Sequence, residues 1–296
     1  SRPDFLYTEP GCSRRHNAPA GYTGWNFFDA QQNIRDTFAG YYGEDNVVVD
    51  TAGGWNNVWA TKPGTIHPEI VYVVGSHYDS YSRTATDPAP GANDNASGVS
   101  AVLELARVFK DYDFENTIIF AAFDGEESGL NGSLQWTQAH ATMNIAGMIE
   151  MDCIGYNPEG VHHDKAILYT GHSQSLDWRS DLADAMSDWT NGVITASVAN
   201  QPYDCSDYAR FEDRGWAACL LAEDAIWDDY SSIMHTVNDN AEFGHIDPVY
   251  AANLTRGVAG FLAMNLQPVP EPSMLTLLIG AAAAVCMLRA RQRGRG

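Results

Sequence analysis

Apolar residues along the chain fall into continuous runs and helically spaced sets, which predicts a protein of alternating strands and helices. Continuous apolar runs at 70–76, 117–123 and 144–151 are typical of strands buried on both faces of a sheet. Shorter runs at 166–170 and 217–222 predict two more strands. The first two long strands and the helix between them form a β-α-β unit, whose crossover we expect to be right-handed.

The other predicted elements precede, separate or follow these strands. Residues 46–51 and 57–61 flank a Gly-Gly turn and predict a hairpin, while 129–141 and 248–264 predict a polar helix and a closing helix. Three further helices show an apolar face, made of Phe27, Phe28, Ala30, Ile34 and Phe38 after the predicted cap Asn26; of Val99, Val102, Leu103, Ala106 and Phe109; and of Leu176, Leu182, Ala185, Met186 and Trp189. The length of 296 residues allows one large α/β domain or two smaller ones.

Polar side chains stand at the carboxyl ends of the long predicted strands. His77 and Asp79 lie two residues apart after the first strand, so they share a face, and the carboxylate could orient a metal-bound imidazole. Glu126 and Glu127 follow the second strand and point in different directions, so one can hold a metal while the other faces water or substrate. An ordinary half-buried histidine and a solvated acidic turn remain the alternatives.

Two more acids occupy similar places. Asp152 follows the third long strand, at the edge where open α/β sheets bind their ligands. Asp94 lies in a loop rich in Gly and Ala before the helix that starts near Val99. It can cap that helix, or the small residues around it can allow a bound group to approach the backbone.

Composition narrows the class of partner. Lys and Arg total 17 against 38 Asp and Glu, a net charge of −21. This argues against nucleic acid or an anionic membrane surface as a partner. The five cysteines show no CxxC spacing, so they indicate neither a zinc ribbon nor a dense disulfide framework.

Six sequence blocks resemble the M28 family of zinc-dependent aminopeptidases, in the order and with the separations of that family. They are GSHYDS (75–80), GANDNASGVSAVLELARV (91–108), FDGEESGLNGS (123–133), IEMDCIG (149–155), YDCSDYARFEDRG (203–215) and MHTVND (234–239). The resemblance covers about residues 46–264. It implies a single α/β domain with a mixed, mostly parallel central sheet flanked by helices, and a two-zinc site at one sheet edge.

The same resemblance implies a role for each site residue. His77 and Asp152 would bind one zinc, Glu127 and His235 the other, and Asp94 would bridge the two. These nitrogen and oxygen donors suit zinc and leave room for water. Glu126 would be the general base, and Tyr203 would donate a hydrogen bond to the developing oxyanion. For Tyr203 the alternative is a packed aromatic residue.

The resemblance leaves other features open. Some relatives have a small disulfide loop around the tyrosine, but here Cys205 is present while Gln201 stands in place of the second cysteine, so that bridge is not expected. Trp227, Tyr230, Ile226 and Met234 either line a pocket for an apolar side chain or belong to the core. The remaining histidines are expected at surface or packing positions: His16, His67, His140, His162, His163, His172 and His245.

Three functions compete at this point. The favoured one is a secreted aminopeptidase that uses two Zn²⁺ ions per chain to remove N-terminal residues, large apolar ones by preference, from peptides with a free N-terminus. The second is an enzyme similar to glutaminyl cyclases, with one zinc. The third is a surface-displayed binding domain without catalysis, which an intact general base and five metal ligands make the weakest of the three.

The C-terminal segment differs from the domain predicted over 1–267. Residues 268–272 read Pro-Val-Pro-Glu-Pro, residues 274–288 are apolar except for Thr276, and four arginines lie in the last eight positions. An apolar run of 15 residues is short for a bilayer core of about 30 Å, which takes about 20 residues.

The order of these parts resembles the PEP-CTERM sorting signal of Gram-negative bacteria. It implies that residues 268–296 form a sorting tail, which an exosortase-type enzyme cuts near Pro272. The precursor would then be held in the membrane through the apolar helix, with its basic end in the cytoplasm and the acidic domain in the periplasm or at the cell surface. The sequence begins at Ser1, which fits either a removed signal peptide or a trimmed chain.

Overall fold

One eight-stranded mixed sheet organises the part of the chain that the structure describes. The computed structural model describes residues 27–269, apart from 52, 85–86, 201–202, 229 and 244–245. The predicted cap Asn26 and the tail from residue 270 lie outside the described residues. The strands are β1 Val47–Asp50, β2 Asn57–Lys62, β3 His67–His77, β4 Asn116–Phe123, β5 Asn144–Met151, β6 Lys165–Tyr169, β7 Thr195–Val198 and β8 Ala218–Glu223.

The centre of the sheet is parallel and its flanks are partly antiparallel. The spatial order is β1-β2-β4-β3-β5-β8-β6-β7. The pairs β4–β3, β3–β5, β5–β8 and β6–β7 are parallel, whereas β1–β2, β2–β4 and β6–β8 are antiparallel. This arrangement confirms the expected α/β fold class with a mixed sheet, and it brings the carboxyl ends of β3, β4, β5 and β8 to one edge.

Helices cover both faces of the sheet. They are α1 Phe27–Tyr42, α2 Ala96–Phe109, α3 Asn131–Ala139, α4 Leu176–Trp189, α5 Tyr208–Glu212 and α6 Pro248–Leu266. The core on one face joins α1, α2, α4 and α6 to the sheet, and the smaller core on the other face contains Trp136 of α3 with Tyr208 and Phe211 of α5. All eight residues of β4 are buried, because both of its faces are covered.

Several local predictions need correction. Asn95, not Asp94, caps α2, since its side-chain oxygen accepts a hydrogen bond from Gly98 N–H. Leu176 and Trp189, predicted on the apolar face of α4, are 45% and 44% exposed. Leu176 is the first residue of the helix, and Trp189, the last, lies over Gly260 of α6 with part of its ring in solvent.

Three other differences concern exposed or short segments. Phe28 in α1 is 56% exposed, although it continues the helical spacing of the apolar residues. Strand β7 and helix α5 have no counterpart among the predicted elements. Strand β7 lies at the edge of the sheet, has no buried residue and reads Thr-Ala-Ser-Val, so it lacks the apolar run that marks the central strands. Helix α5 has five residues, too few for a helical period to show.

No helix within the described residues combines the length and the apolar character needed to cross a membrane. The apolar run 274–288, in which the sequence predicts a membrane helix, lies outside those residues.

Candidate metal centre

The predicted ligands come together where the central parallel strands end. His77 is the last residue of β3, Asp152 directly follows β5, and Glu127 lies four residues after the end of β4. Asp94 precedes the cap of α2, and His235 lies in the loop between β8 and α6. Because β4, β3 and β5 are parallel neighbours, their carboxyl ends place residues far apart in sequence at one edge.

Asp94 offers one oxygen to each of two groups of ligands. His77 Nε2 lies 3.2 Å from Asp94 Oδ1 and 3.5 Å from Asp152 Oδ1. His235 Nε2 lies 2.9 Å from Asp94 Oδ2 and 3.2 Å from Glu127 Oε2. Each group has one imidazole and two carboxylates, with ligand atoms all within 4.8 Å of one another. The two groups therefore form one site with a shared carboxylate.

The residues fit a pair of divalent cations. Glu127 Oε1 and Asp152 Oδ1 are buried and have no hydrogen-bond partner, a state that a metal ion would resolve. One imidazole nitrogen and carboxylate oxygens form a donor set that suits Zn²⁺. A carboxylate can bridge two ions about 3.5–4 Å apart, as in two-metal hydrolytic sites. Asp94 has the position that this bridging requires.

The charges around the two histidines favour a cation at each. Burial would lower the pKa of His77, but the neighbouring carboxylates, Asp152 first, raise it well above its ordinary value. Burial would also lower the pKa of His235, but the hydrogen bonds to Asp94 and Glu127 raise it to about 10. A proton and a metal ion compete for the same nitrogens, so we expect metal binding to release protons.

The pKa values of the acids of the site are shifted in opposite directions. Burial would raise the pKa of Asp94, but the hydrogen bonds with His235 and His77 lower it below its ordinary value. Burial and the charge of Asp94 raise the pKa of Glu127 to about 7. Burial also raises the pKa of Glu126 well above its ordinary value, and the charge of Glu127 adds to this although His77 opposes it. Glu126 is thus a carboxylate with a strong tendency to take up a proton.

Asp79 connects His77 to the acidic pair, as its spacing predicts. Its Oδ1 lies 3.4 Å from His77 Nδ1, the nitrogen that faces away from the ligand groups. The two carboxylate oxygens also accept the backbone N–H groups of Glu126 and Glu127, each at 3.3 Å. The Asp79 backbone oxygen lies 3.2 Å from the same nitrogen, so one buried residue orients the imidazole of His77 and, through its side chain, the loop after β4.

Residues on both sides of Asp94 hold its loop against the end of β5. The side-chain oxygen of Asn93 accepts Gly155 N–H at 2.7 Å, and the amide of Asn95 donates to Met151 O at 3.1 Å. The amide of Asn93 also donates to both oxygens of the buried Glu223, at 2.8 and 3.0 Å. These bonds keep Asp94 next to the strand that carries Asp152.

Two buried acids beside the site are missing from the predicted site residues. Glu150 is fully buried in β5 and accepts hydrogen bonds from the Ser206 hydroxyl and from Tyr208 N–H. Asp207 is also fully buried; Ser133 donates to its Oδ1, and its Oδ2 has no partner. Burial is the main cause that raises the pKa of Asp207 to about 7. Glu150 lies in the sequence block 149–155 and Asp207 in the block 203–215, so the family resemblance could have identified both.

Tyr203 lies in a partly buried aromatic group. Its ring centroid is 5.0 Å from that of Tyr169 and 5.4 Å from that of Trp227. Burial raises the pKa of the Tyr203 hydroxyl, and the side chain of Cys205 adds to the shift. Asp152 also contributes, which puts the phenol in the field of the site. Ile226, Tyr230 and Met234 are buried and pack in the same core.

The other described histidines keep to surface or packing positions. His140 stacks on Trp136 with centroids 4.2 Å apart, and His162 pairs with Asp224 at 2.8 Å. His172 is exposed and lies within 4.8 Å of ligand atoms of Asp204 and Glu212, a neighbourhood that its sequence context does not indicate.

The cysteines that the structure describes are Cys153, Cys205 and Cys219, and all three are free thiols. Gln201, which stands in place of the second cysteine of the bridge, lies outside the described residues.

Comparison with known proteins gives a family match and partial matches to relatives. The model of peptidase family M28 matches residues 57–262. A probable zinc metalloprotease of Pyrenophora tritici-repentis is 46% identical over 101 residues, covering 32% of this chain and 23% of that relative. One from Phaeosphaeria nodorum is 37% identical over 137 residues, covering 40% of this chain and 27% of that relative. The matched part thus corresponds to about a quarter of these relatives.

Solved structures share the fold. The LapA aminopeptidase of Legionella pneumophila has a TM-score of 0.69 at 20% identity, covering 87% of this chain and 69% of that one. An aminopeptidase from Aneurinibacillus sp. strain AM-1 has a TM-score of 0.58 at 28% identity, covering 72% and 48%. A glutaminyl cyclase from an Acidobacteriales bacterium has a TM-score of 0.65 at 16% identity, covering 90% and 95%.

Proposed function

This chain belongs to peptidase family M28, and from that premise we propose that it is a zinc-dependent aminopeptidase acting on peptides with a free N-terminus. The observation that carries the proposal is the position of Asp94, whose two oxygens serve two ligand groups. A shared carboxylate between two groups of donors is the arrangement of two-metal hydrolases.

The ligands divide by geometry. His77 and Asp152 would hold one zinc, Glu127 and His235 would hold the other, and Asp94 would bind both. Bound zinc ions supply a water of lowered pKa and polarise the scissile carbonyl. Asp79 holds His77 so that Nε2 faces the ligand group, because it occupies the other ring nitrogen.

Glu126 is the proposed general base. It adjoins the proposed ligand Glu127 but belongs to neither ligand group, and the residue is partly exposed. It would take the proton from the attacking water and return it to the leaving amine. The raised pKa of Glu126, which burial causes, favours uptake of that proton.

Tyr203 is the proposed donor to the oxyanion. A phenol is protonated at neutral pH even at its ordinary pKa, and burial raises the pKa of Tyr203 further, so the hydroxyl can donate a hydrogen bond to the oxygen that gains charge. The adjoining rings of Tyr169 and Trp227 support its position.

Aromatic and apolar residues beside the site support the expected substrate. Trp227, 48% exposed, and Tyr203 present aromatic surface next to the buried Ile226 and Met234, which suits a large apolar N-terminal side chain. The small Cys153, directly after Asp152, leaves more room there than a bulkier residue would.

The glutaminyl-cyclase alternative has structural support in the fold alone. The glutaminyl cyclase from an Acidobacteriales bacterium is only 16% identical to this chain in sequence. A single-zinc enzyme would need one ligand group, whereas this chain has two complete groups around Asp94.

Hydrolysis assays with zinc-loaded protein test the proposal. We expect release of a fluorogenic amine from large apolar amino-acid amides, and loss of that release when the α-amino group is acetylated. Cyclisation of N-terminal glutaminyl peptides without hydrolysis of the amides would favour the alternative. Binding without any turnover would favour a non-catalytic domain.

A further inference from the structure

Asp239 joins the two loops that carry Asp94 and His235. It is 2% exposed and lies four residues after His235 in the same loop. Its Oδ1 accepts Asn93 N–H at 2.8 Å and its Oδ2 accepts Asp94 N–H at 3.1 Å. Its backbone oxygen accepts Ala92 N–H at 3.0 Å. Three successive N–H groups of the Asp94 loop thus donate hydrogen bonds to one residue of the His235 loop.

These bonds support the ligand group of Asp94, Glu127 and His235 more than the group of His77, Asp94 and Asp152. His235 Nε2 lies 2.9 Å from Asp94 Oδ2, and the two residues belong to different loops. The side chains of Asn93 and Asn95 tie Asp94 to the end of β5 independently of Asp239. If the Asp239 carboxylate is altered, the loop keeps its side-chain bonds to the strand of Asp152, whereas the bonds from Asn93 N–H and Asp94 N–H to the loop of His235 are weakened.

We propose that Asp239 is a positioning residue that sets the distance between Asp94 and His235, and thereby the affinity of the metal ion held by Asp94, Glu127 and His235. This inference rests on the two-metal site proposed above. It goes beyond that proposal because it predicts that the two ions depend unequally on a residue that contacts neither.

Asp239→Asn is the direct test. The amide keeps the size of the side chain but turns one acceptor into a donor, which then faces a backbone N–H group. Loss of a residue that supports a metal ligand typically lowers metal affinity by about 10- to 100-fold. We expect a loss of that order for one ion, measured by titrating the metal-free protein with Zn²⁺ against a chromophoric chelator.

Two backgrounds identify the affected ion. Asp152→Asn weakens the group of His77, and Glu127→Gln weakens the group of His235. We expect Asp239→Asn to lower the affinity of the ion retained in the Asp152→Asn background, and to change that of the ion retained with Glu127→Gln much less. An equal loss in both backgrounds would overturn the inference.

Glu223→Gln is a matched control. Glu223 is also a fully buried carboxylate and is attached to the same loop through the Asn93 side chain; its other partner, Tyr156 N–H, lies after β5. We expect it to lower the thermal stability of the metal-free protein without lowering the affinity of the ion held by Asp94, Glu127 and His235. If Asp239→Asn behaves like this control, its role is structural and the inference is wrong.

Two further outcomes have defined meanings. Should Asp239→Asn not fold, Asp239→Glu keeps both acceptors but displaces them, and the same selective loss is expected; unchanged affinities would contradict the inference. If the wild type binds a single ion, the two-metal function fails. Asp239 is then judged on that ion, and an unchanged affinity in Asp239→Asn refutes its role as well.

Discussion

At the scale of single residues, the two neighbouring glutamates after β4 have different surroundings. Glu127 Oε2 lies 3.2 Å from His235, and its Oε1 is buried without a hydrogen-bond partner, as expected for a metal ligand. Glu126 is partly buried next to it, and the charges of His77 and Glu127 shift its pKa. The proposed ligand and the proposed base are therefore separable by mutation.

Glu126→Gln should leave both zinc ions bound while kcat falls by about 10²- to 10⁴-fold, because the base is lost and the ligands are not. Glu127→Gln should act mainly through weaker zinc binding, and added zinc should restore part of its activity. Steady-state kinetics and zinc content of both variants check this prediction. Near-normal turnover of Glu126→Gln would place the base elsewhere.

Tyr203→Phe should lower kcat by up to about 10²- to 10³-fold with little change in KM, since a hydrogen bond to the developing oxyanion forms mainly in the transition state. The ring packing on Tyr169 and Trp227 is retained in this variant. Steady-state kinetics measure both constants. Tyr169→Phe serves as the control, and equal effects of the two substitutions would argue that Tyr203 is only a packed aromatic residue.

The sequence revealed the residues at strand ends better than those that support them. His77, Asp94 and Asp152 follow or adjoin clear strands and helices, and the family resemblance joined them to His235. Asp239 stands in the quoted block 234–239, but its bonds to the Asp94 loop depend on how two distant loops pack. A pattern along the chain does not contain that information.

At the scale of elements, the central strands could be predicted because they are buried on both faces and are therefore apolar throughout. The exposed edge strand β7 lacks such an apolar run and was not predicted. The predicted run 144–151 coincides with β5, and the run 117–123 lacks only the first residue of β4. The unexpected β7 pairs with β6 at the edge of the sheet, and its side chains are exposed or half-buried. Its position depends on the neighbouring strand rather than on its own residues.

Helix α6 offers a test of local stabilisation. The Asp247 carboxylate caps the helix by accepting Val249 and Tyr250 N–H at 2.9 and 3.1 Å. Asp247→Ala should lower the free energy of unfolding, measured by urea unfolding near neutral pH, by about 1 kcal/mol, the usual cost of losing a cap. Asp184→Ala, at an exposed acid in α4, should change it by less than about 0.5 kcal/mol. Equal effects of the two substitutions would contradict a specific role for the cap.

The cap also predicts a pH dependence. Burial would raise the pKa of Asp247, but the hydrogen bonds from Tyr250 and its other partners lower it below 3.8. The contribution is therefore complete well above the ordinary carboxyl pKa and is lost as the pH falls through the folded-state pKa. Urea unfolding near neutral pH and in acid should show the difference between Asp247→Ala and wild type shrinking in acid. A constant difference would contradict an ionised cap.

At the scale of the whole molecule, the acidic domain and the basic tail have opposite character. The net charge is −21, although four arginines lie in the last eight residues. The family match ends at residue 262, before the Pro-Glu-Pro motif. We therefore propose that the tail is a sorting signal distinct from the peptidase domain, and that the domain works outside the cytoplasm.

Processing of the tail is testable in the native host. Intact-mass analysis should show protein that lacks the residues after about 272, in the periplasmic, surface or extracellular fraction. Replacement of Pro270, Glu271 and Pro272 by alanines should leave the tail attached. Glu126→Gln, which leaves the tail unchanged, is the control and should be processed like the wild type. A full-length species ending at Gly296 in the cytoplasm would refute both sorting and export.

The central claim is that two metal ions share the Asp94 carboxylate. Native mass spectrometry of the protein, loaded with Zn²⁺ and freed of excess metal, measures the number of ions per chain directly. Five ligands in two groups predict two zinc ions per chain. One ion, or none, bound to folded wild-type protein at neutral pH would contradict the account.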